Sequence, residues 1–159
     1  MNLFIESHQL WLKKLLAAQV NFIIVGGYSV IFHGYKRTTG DIDVWLQPTN
    51  QNKEKLLSVL EEEFDEDDIK QIATLDFTKH LVFSIGDEPE KIDFLTYINQ
   101  VSYEEAEKLK IIADIDDLKI PFIHLNHLVL SKFNTGRLKD KADIEMLQKI
   151  DRSQDPGLL

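Results

Sequence analysis

Asp41 and Asp43 stand one residue apart in the run Arg37-Thr-Thr-Gly-Asp-Ile-Asp43, and thirteen residues separate them from a glycine pair, Gly26-Gly27, that closes the apolar run Phe22-Ile-Ile-Val25. In an extended strand side chains alternate between faces, so Asp41 and Asp43 project from one face about 6.6 Å apart at the backbone. Two ionised carboxylates at that separation repel by about 2.6 kcal/mol at an effective dielectric of about 20, and nothing basic lies between them in sequence. A divalent cation reverses that penalty. Oxygen-only ligands favour Mg2+ or Mn2+, which take one or two carboxylates and complete their shell with water and substrate phosphates. Gly26 and Gly27 let the backbone approach a ligand closely, and a helix beginning there presents free amides to phosphate. Arg37 adds a charge-assisted contact and Thr39 a hydroxyl donor. The combination suits a triphosphate held beside a divalent metal. The bland alternative, a tight turn followed by an exposed Asp pair, explains each half but not their spacing.

Other polar clusters carry less. Asp114-Ile-Asp116 repeats the Asp-x-Asp spelling, but no strand-Gly-Gly-helix unit precedes it, so a turn or exposed strand is expected there. The acidic run from Glu61 to Asp68 lacks the alternating ligands and glycine of a calcium loop and reads as a solvated helix end. His124 and His127 fit packing or capping. Lys132, Arg137, Lys139 and Lys141 form a basic run broken by one acid, Asp140; the first three either fold onto a polyanion or make ordinary surface pairs with Asp140 and Asp143. Trp11, Phe22, Trp45 and Phe94 are expected in the core, with Trp45, on the face of the aspartates, the one able to line a nucleobase or acceptor pocket.

The elements that must position these groups follow from periodicity. Residues 3 to 19 carry helical spacing, Val20 to Val25 reads as a buried strand, Tyr28 to Tyr35 as two helical turns and Asp41 to Leu46 as the next strand. A helix capped at Asn50 or Asn52 runs to about Leu60 or Phe64, and the segment from Asp65 to Lys79 is ambiguous. Leu81 to Ile85 and Lys91 to Tyr97 suggest a hairpin, Ser102 with Glu105 a capping box for a helix through Leu109, and Ile111 to Ile115 and Lys119 to Ile123 short strands. Leu125 to Phe133 and Leu138 to Ile150 read as a closing helical pair. The expected class is α/β (α+β), a small mixed sheet flanked by helices, with one domain over 1–150 and a tail frayed from Asp151.

Composition narrows the setting. The 159 residues carry a formal net charge of −9, which disfavours duplex DNA because phosphate neutralisation supplies most of that affinity. There is no cysteine, hence no disulfide and no thiolate metal site. No apolar run is long enough to cross a bilayer and the N-terminus does not read as a secretory signal, so a cytoplasmic protein is expected.

Val25-Gly-Gly27, the thirteen-residue spacer and Asp41-Ile-Asp43-Val together resemble the signature of the DNA polymerase beta-like nucleotidyltransferase superfamily. Within it, Arg37-x-Thr39-x-Asp41-x-Asp43 and the later Gly136-Arg-Leu-Lys-Asp140-x-x-Asp143 are similar to small bacterial members related to lincosamide nucleotidyltransferases and abortive-infection toxin nucleotidyltransferases. The resemblance implies the nucleotidyltransferase fold and transfer of a nucleoside monophosphate from an NTP to a hydroxyl acceptor with release of pyrophosphate. It also implies a third carboxylate on a neighbouring strand, matched by Asp93 in Lys91-Ile-Asp93-Phe-Leu-Thr-Tyr97, so that Asp41, Asp43 and Asp93 are the expected catalytic and metal-binding set. Gly26, Gly27, Arg37, Thr39, Lys132, Arg137 and Lys139 are the expected nucleotide contacts. A small hydroxylated acceptor is favoured over a tRNA end or a protein, and a homodimer or partner subunit is expected to help form the acceptor site. The rival from another class is a non-catalytic nucleotide-binding or protein-interaction module, an antitoxin or regulator on the same fold.

Overall fold

The apolar run that stops at Gly26 forms β1 (Phe22–Val25), flanked by β2 (Ile42–Leu46), antiparallel, and β6 (Leu118–Phe122), parallel. It is apolar throughout, not alternating, because both of its faces are covered. The computed structural model describes residues 3–153. With β3 (Val82–Ile85), β4 (Ile92–Leu95) and β5 (Ile111–Ile115), these strands make a six-stranded mixed sheet in the order β3-β4-β2-β1-β6-β5.

Alternation along the strands separates two apolar layers. Phe22, Ile24, Ile42, Val44, Leu46, Phe94 and Phe122 pack beneath α1 (Glu6–Ala17) and α3 (Asn50–Leu60), through Leu12, Leu15, Leu56 and Leu60. Ile23, Val25 and Trp45 face the other way, toward α5 (Tyr103–Leu109), α6 (Leu125–Ser131) and α7 (Leu138–Ser153), through Tyr103, Ala106, Leu128 and Leu147. Trp45 is 1% exposed and meets Tyr103 edge to face at 5.2 Å, which makes it core and removes it from any ligand pocket.

The linking elements settle the points that periodicity left open. The Gly-Gly pair is not a turn before a helix but its first two residues, in α2 (Gly26–Phe32). The ambiguous segment after Asp65 contains α4 (Glu66–Ala73), capped by the Asp65 side chain accepting from the Asp68 amide at 3.0 Å. This helix has no fully buried residue and leans on the core only through Ile69 and Ile72, so its apolar stripe is too thin to read in sequence. Ser102 caps α5 by accepting from the Glu105 amide at 3.2 Å, and His124 caps α6, its Nδ1 accepting from the Asn126 amide at 3.0 Å. The second Asp-x-Asp ends in the two-residue turn of the β5–β6 hairpin, where Asp116 and Asp117 take φ of 51° and 65°. The tail expected to fray from Asp151 stays helical to Ser153, and its remainder, 154–159, lies outside the described residues. Among the described residues no helix is long and apolar enough to cross a membrane.

Candidate active site

Because β2 and β4 run parallel in register, Asp43 and Asp93 are direct cross-strand neighbours, and Asp41 immediately precedes β2. The pleat puts all three on the sheet face that carries Trp45, the face expected from their spacing. Asp43 lies deepest. Burial, then the charges of Asp93 and Asp41, push its pKa up to about 6 against the opposing pull of Lys132 and Lys139. Asp93 is held by the Ser84 hydroxyl, donated from the facing position on β3.

The glycine pair is required by these neighbours. A Cβ on Gly26 would stand 2.0 Å from Asp43 Oδ2, and one on Gly27 would stand 2.2 Å from Thr39 Oγ1. Gly26 also has φ of +68°, a conformation that costs other residues about 1–2 kcal/mol. Gly26→Ala is therefore expected to displace the Asp43 carboxylate and lower kcat by ~100-fold, the order of loss that a 1 Å misplacement produces. A circular-dichroism melt should meanwhile show a folded protein, destabilised by about 1–3 kcal/mol.

A cavity of about 390 Å³ opens in front of the glycines. It brings together Gly26, Gly27, Arg37, Thr39, Asp41, Asp43, Lys132, Arg137 and Lys139, every expected site residue except Asp93, which lies beside Asp43 without lining it. Lys141, counted in the same basic run, is not part of the lining.

Two buried aspartates, for which ordinary surface pairing was one of the two readings open in sequence, organise this basic wall. Asp140 and Asp143 are each 1% exposed. Asp143 accepts from Lys132 Nζ at 2.9 Å and from Arg37 Nη2 at 3.2 Å, and Arg37 Nε lies 3.1 Å from its other oxygen. Asp140 accepts from Arg137 Nε at 2.7 Å, Arg137 Nη2 at 3.0 Å, Lys132 Nζ at 3.2 Å and Thr135 Oγ1 at 2.6 Å. Burial raises the Asp140 pKa, but the Arg137 and Thr135 hydrogen bonds and the Lys132 charge outweigh it and leave the carboxyl at about 2. The signal was present in spacing: Asp140, Asp143 and the core residue Leu147 lie at i, i+3 and i+7 on one inward helix face.

Sequence reasoning also missed Lys91, whose Nζ lies 3.3 Å from Asp41 Oδ2, 3.6 Å from Asp93 Oδ1 and 3.6 Å from Glu88 Oε1. Asp41, then Asp93, raise its pKa and hold it protonated. Among the described residues no three histidines or acids close into a metal cluster. What the site offers a cation is the Asp41–Asp43 pair, with Asp41 Oδ1 buried and lacking any hydrogen-bond partner and Asp43 paying for its charge with a raised pKa. Few carboxylates and an open, polar cavity fit Mg2+ or Mn2+, which keep water and substrate oxygens in their shells.

A mixed sheet that sets paired acids against a glycine-led helix and a basic wall is the nucleotidyltransferase fold, and solved structures agree. The lincosamide antibiotic adenylyltransferase LnuA, determined with lincomycin bound, superposes with a TM-score of 0.56 at 18% identity, covering 94% of this chain and 99% of that one. An antigenic nucleotidyltransferase-like protein from Paracoccidioides brasiliensis gives 0.52 at 13% identity, over 89% and 72% of the two chains. The chain belongs to the family described as "Nucleotidyltransferase of unknown function (DUF6036)", which matches residues 4–154. No curated protein matches the sequence significantly.

Proposed function

We propose that this protein is a metal-dependent enzyme, working in the cytoplasm, that moves a nucleoside monophosphate from an NTP to a hydroxyl group of a small acceptor and releases pyrophosphate. The observation that carries the reading is the meeting of Asp41 and Asp43 with the glycine-led, cation-walled cavity. Asp41 and Asp43 would hold Mg2+ or Mn2+, with Asp93 beside them; the bound metal would neutralise charge on phosphate oxygens and on the leaving pyrophosphate. Gly26 and Gly27 leave room for the phosphates, and Arg37, Lys132, Arg137 and Lys139 offset their charge. The acceptor oxygen attacks the α-phosphorus, the bond to the β-phosphate oxygen breaks, and the hydroxyl proton passes to a carboxylate, a role we assign to Asp93. Catalysis on this plan is positioning and charge stabilisation.

A small acceptor suits the net charge of −9, which repels long polyanions. A second copy of the chain or a partner subunit would complete the acceptor site. The test is transfer from each of the four NTPs, labelled at the α or the γ phosphate, to hydroxylated small molecules, tRNA or lysate proteins in the presence of Mg2+. The expected result is α label in a small molecule and γ label in pyrophosphate. Label in tRNA or protein would move the acceptor class. No transfer, together with NTP binding indifferent to Mg2+, would make the chain a non-catalytic binding module.

A further inference from the structure

We infer that Lys91 is a built-in counter-ion of the carboxylate site, one that an arriving metal must displace. The inference rests on Asp41 and Asp43 being cation ligands. Lys91 enters β4 from the β3–β4 connection, and its ammonium sits between Asp41 Oδ2 and Asp93 Oδ1, at 3.3 and 3.6 Å. It is the basic group that sequence order failed to place between the acids. A lysine suits this role better than an arginine would: its ammonium is a compact, strongly hydrated point charge on a flexible stem, without the fixed fork that locks a carboxylate.

Glu88 Oε1 also lies 3.6 Å from Lys91 Nζ, and Glu88, itself within hydrogen-bond reach of Asp41, lines the same cavity. A cation arriving at Asp41 removes the attraction that holds Lys91 inward and repels its charge. Lys91, at the start of β4 on a flexible stem, then swings out to solvent while the sheet register holds Asp43 and Asp93 side by side. Before that, Lys91 reduces the mutual repulsion of Asp41, Asp43 and Asp93. The site thus stays assembled without metal, at the cost of weaker metal binding.

The decisive measurement is Mn2+ affinity by calorimetry, without nucleotide, for the wild type, Lys91→Gln and Lys91→Arg. Removing the competing charge is expected to tighten Mn2+ binding about five- to tenfold in Lys91→Gln, while Lys91→Arg, which keeps the charge on a fork that grips the carboxylates, binds Mn2+ no more tightly than wild type. Unchanged or weaker binding in Lys91→Gln overturns the inference. Loss of Mn2+ binding in the wild type itself would instead remove the metal reading on which it rests. A second measurement needs no loss of the lysine: in wild-type protein carrying 13Cε-lysine, with the Lys91 signal assigned by its absence from Lys91→Arg, Mg2+ should move that resonance toward the position of a free lysine. A resonance that stays fixed while Mg2+ binds overturns the inference as well.

Discussion

Asp43→Asn is expected to abolish nucleotidyl transfer and to make the metal-free protein more stable. The first effect follows from the loss of an anionic ligand at the centre of the site, where the transferred phosphate needs compensating charge; kcat should fall by ~1000-fold or more. The second follows from the raised pKa. Asp43 ionises at about 6 in the folded chain against an ordinary 3.8, so its charge opposes folding. Below pH 3.8 the carboxyl is protonated in both states and contributes nothing. As pH rises through that value the unfolded chain releases its proton first and stability falls, until above about 6 the penalty is constant at ~3 kcal/mol. Asparagine removes the charge with little change of shape. At pH 7.5 its Tm should exceed that of the metal-free wild type by about 6–12 °C, with the difference vanishing toward pH 4. Mg2+ should close the gap by stabilising the wild type alone. An asparagine variant less stable than wild type at pH 7.5 would show that Asp43 is satisfied by the protein and has no need of a cation. Mg2+ affinity of the wild type should decline as pH falls through about 6, because a proton then competes with the metal for the Asp43 carboxyl.

How much of this was legible in sequence depended on whether the cause was local. Asp41 and Asp43 could be placed on one face because strand alternation is local, and Gly26-Gly27 because an apolar strand must stop before them. Asp93 was reached only through the family resemblance, since nothing within β4 says that β4 lies parallel to β2 in the register that sets Asp93 beside Asp43. The exact service of the glycines was also hidden. Their need is set by Asp43 Oδ2 and Thr39 Oγ1, both more than ten residues away. Lys91 was missed for the same reason: it is two residues from Asp93 in sequence, but fifty from Asp41, with which it makes its shortest ion pair. Whether Asp140 and Asp143 make surface pairs stayed open because a charged helix face usually meets solvent, and the buried partner that decides it for Asp143, Arg37, is brought there only by the fold.

Those two aspartates carry the largest loss of stability expected of any single substitution here. Asp143→Ala leaves Arg37 Nε and Nη2 and one bond of Lys132 Nζ without their buried carboxylate, while the cations themselves remain. Removing one partner of a buried pair costs about 3–5 kcal/mol, because the other charge stays desolvated and uncompensated. Lys132 keeps Asp140 at 3.2 Å, which places the expected loss near the lower end, ~3 kcal/mol, or a fall in Tm of about 6–12 °C. Arg37→Met in the same background should recover part of it, since removing both charges removes the unpaired one; a coupling of at least about 1 kcal/mol in the thermal double-mutant cycle is expected, and strict additivity would refute the shared burial. The same variant separates two ways in which a basic wall can serve a triphosphate. Deleting Asp143 makes the cavity wall one unit more positive, so if bulk field governed binding, affinity for ATP would rise. If orientation governs, affinity falls, because Asp143 contacts both nitrogens that steer the Arg37 guanidinium and tethers Lys132 to α7. Charge-assisted contacts to phosphate depend on direction as well as sign, and a guanidinium loses its bidentate advantage once it is free to rotate. Calorimetry at a temperature where both proteins are folded is therefore expected to show ATP binding about tenfold weaker in Asp143→Ala despite its added positive charge.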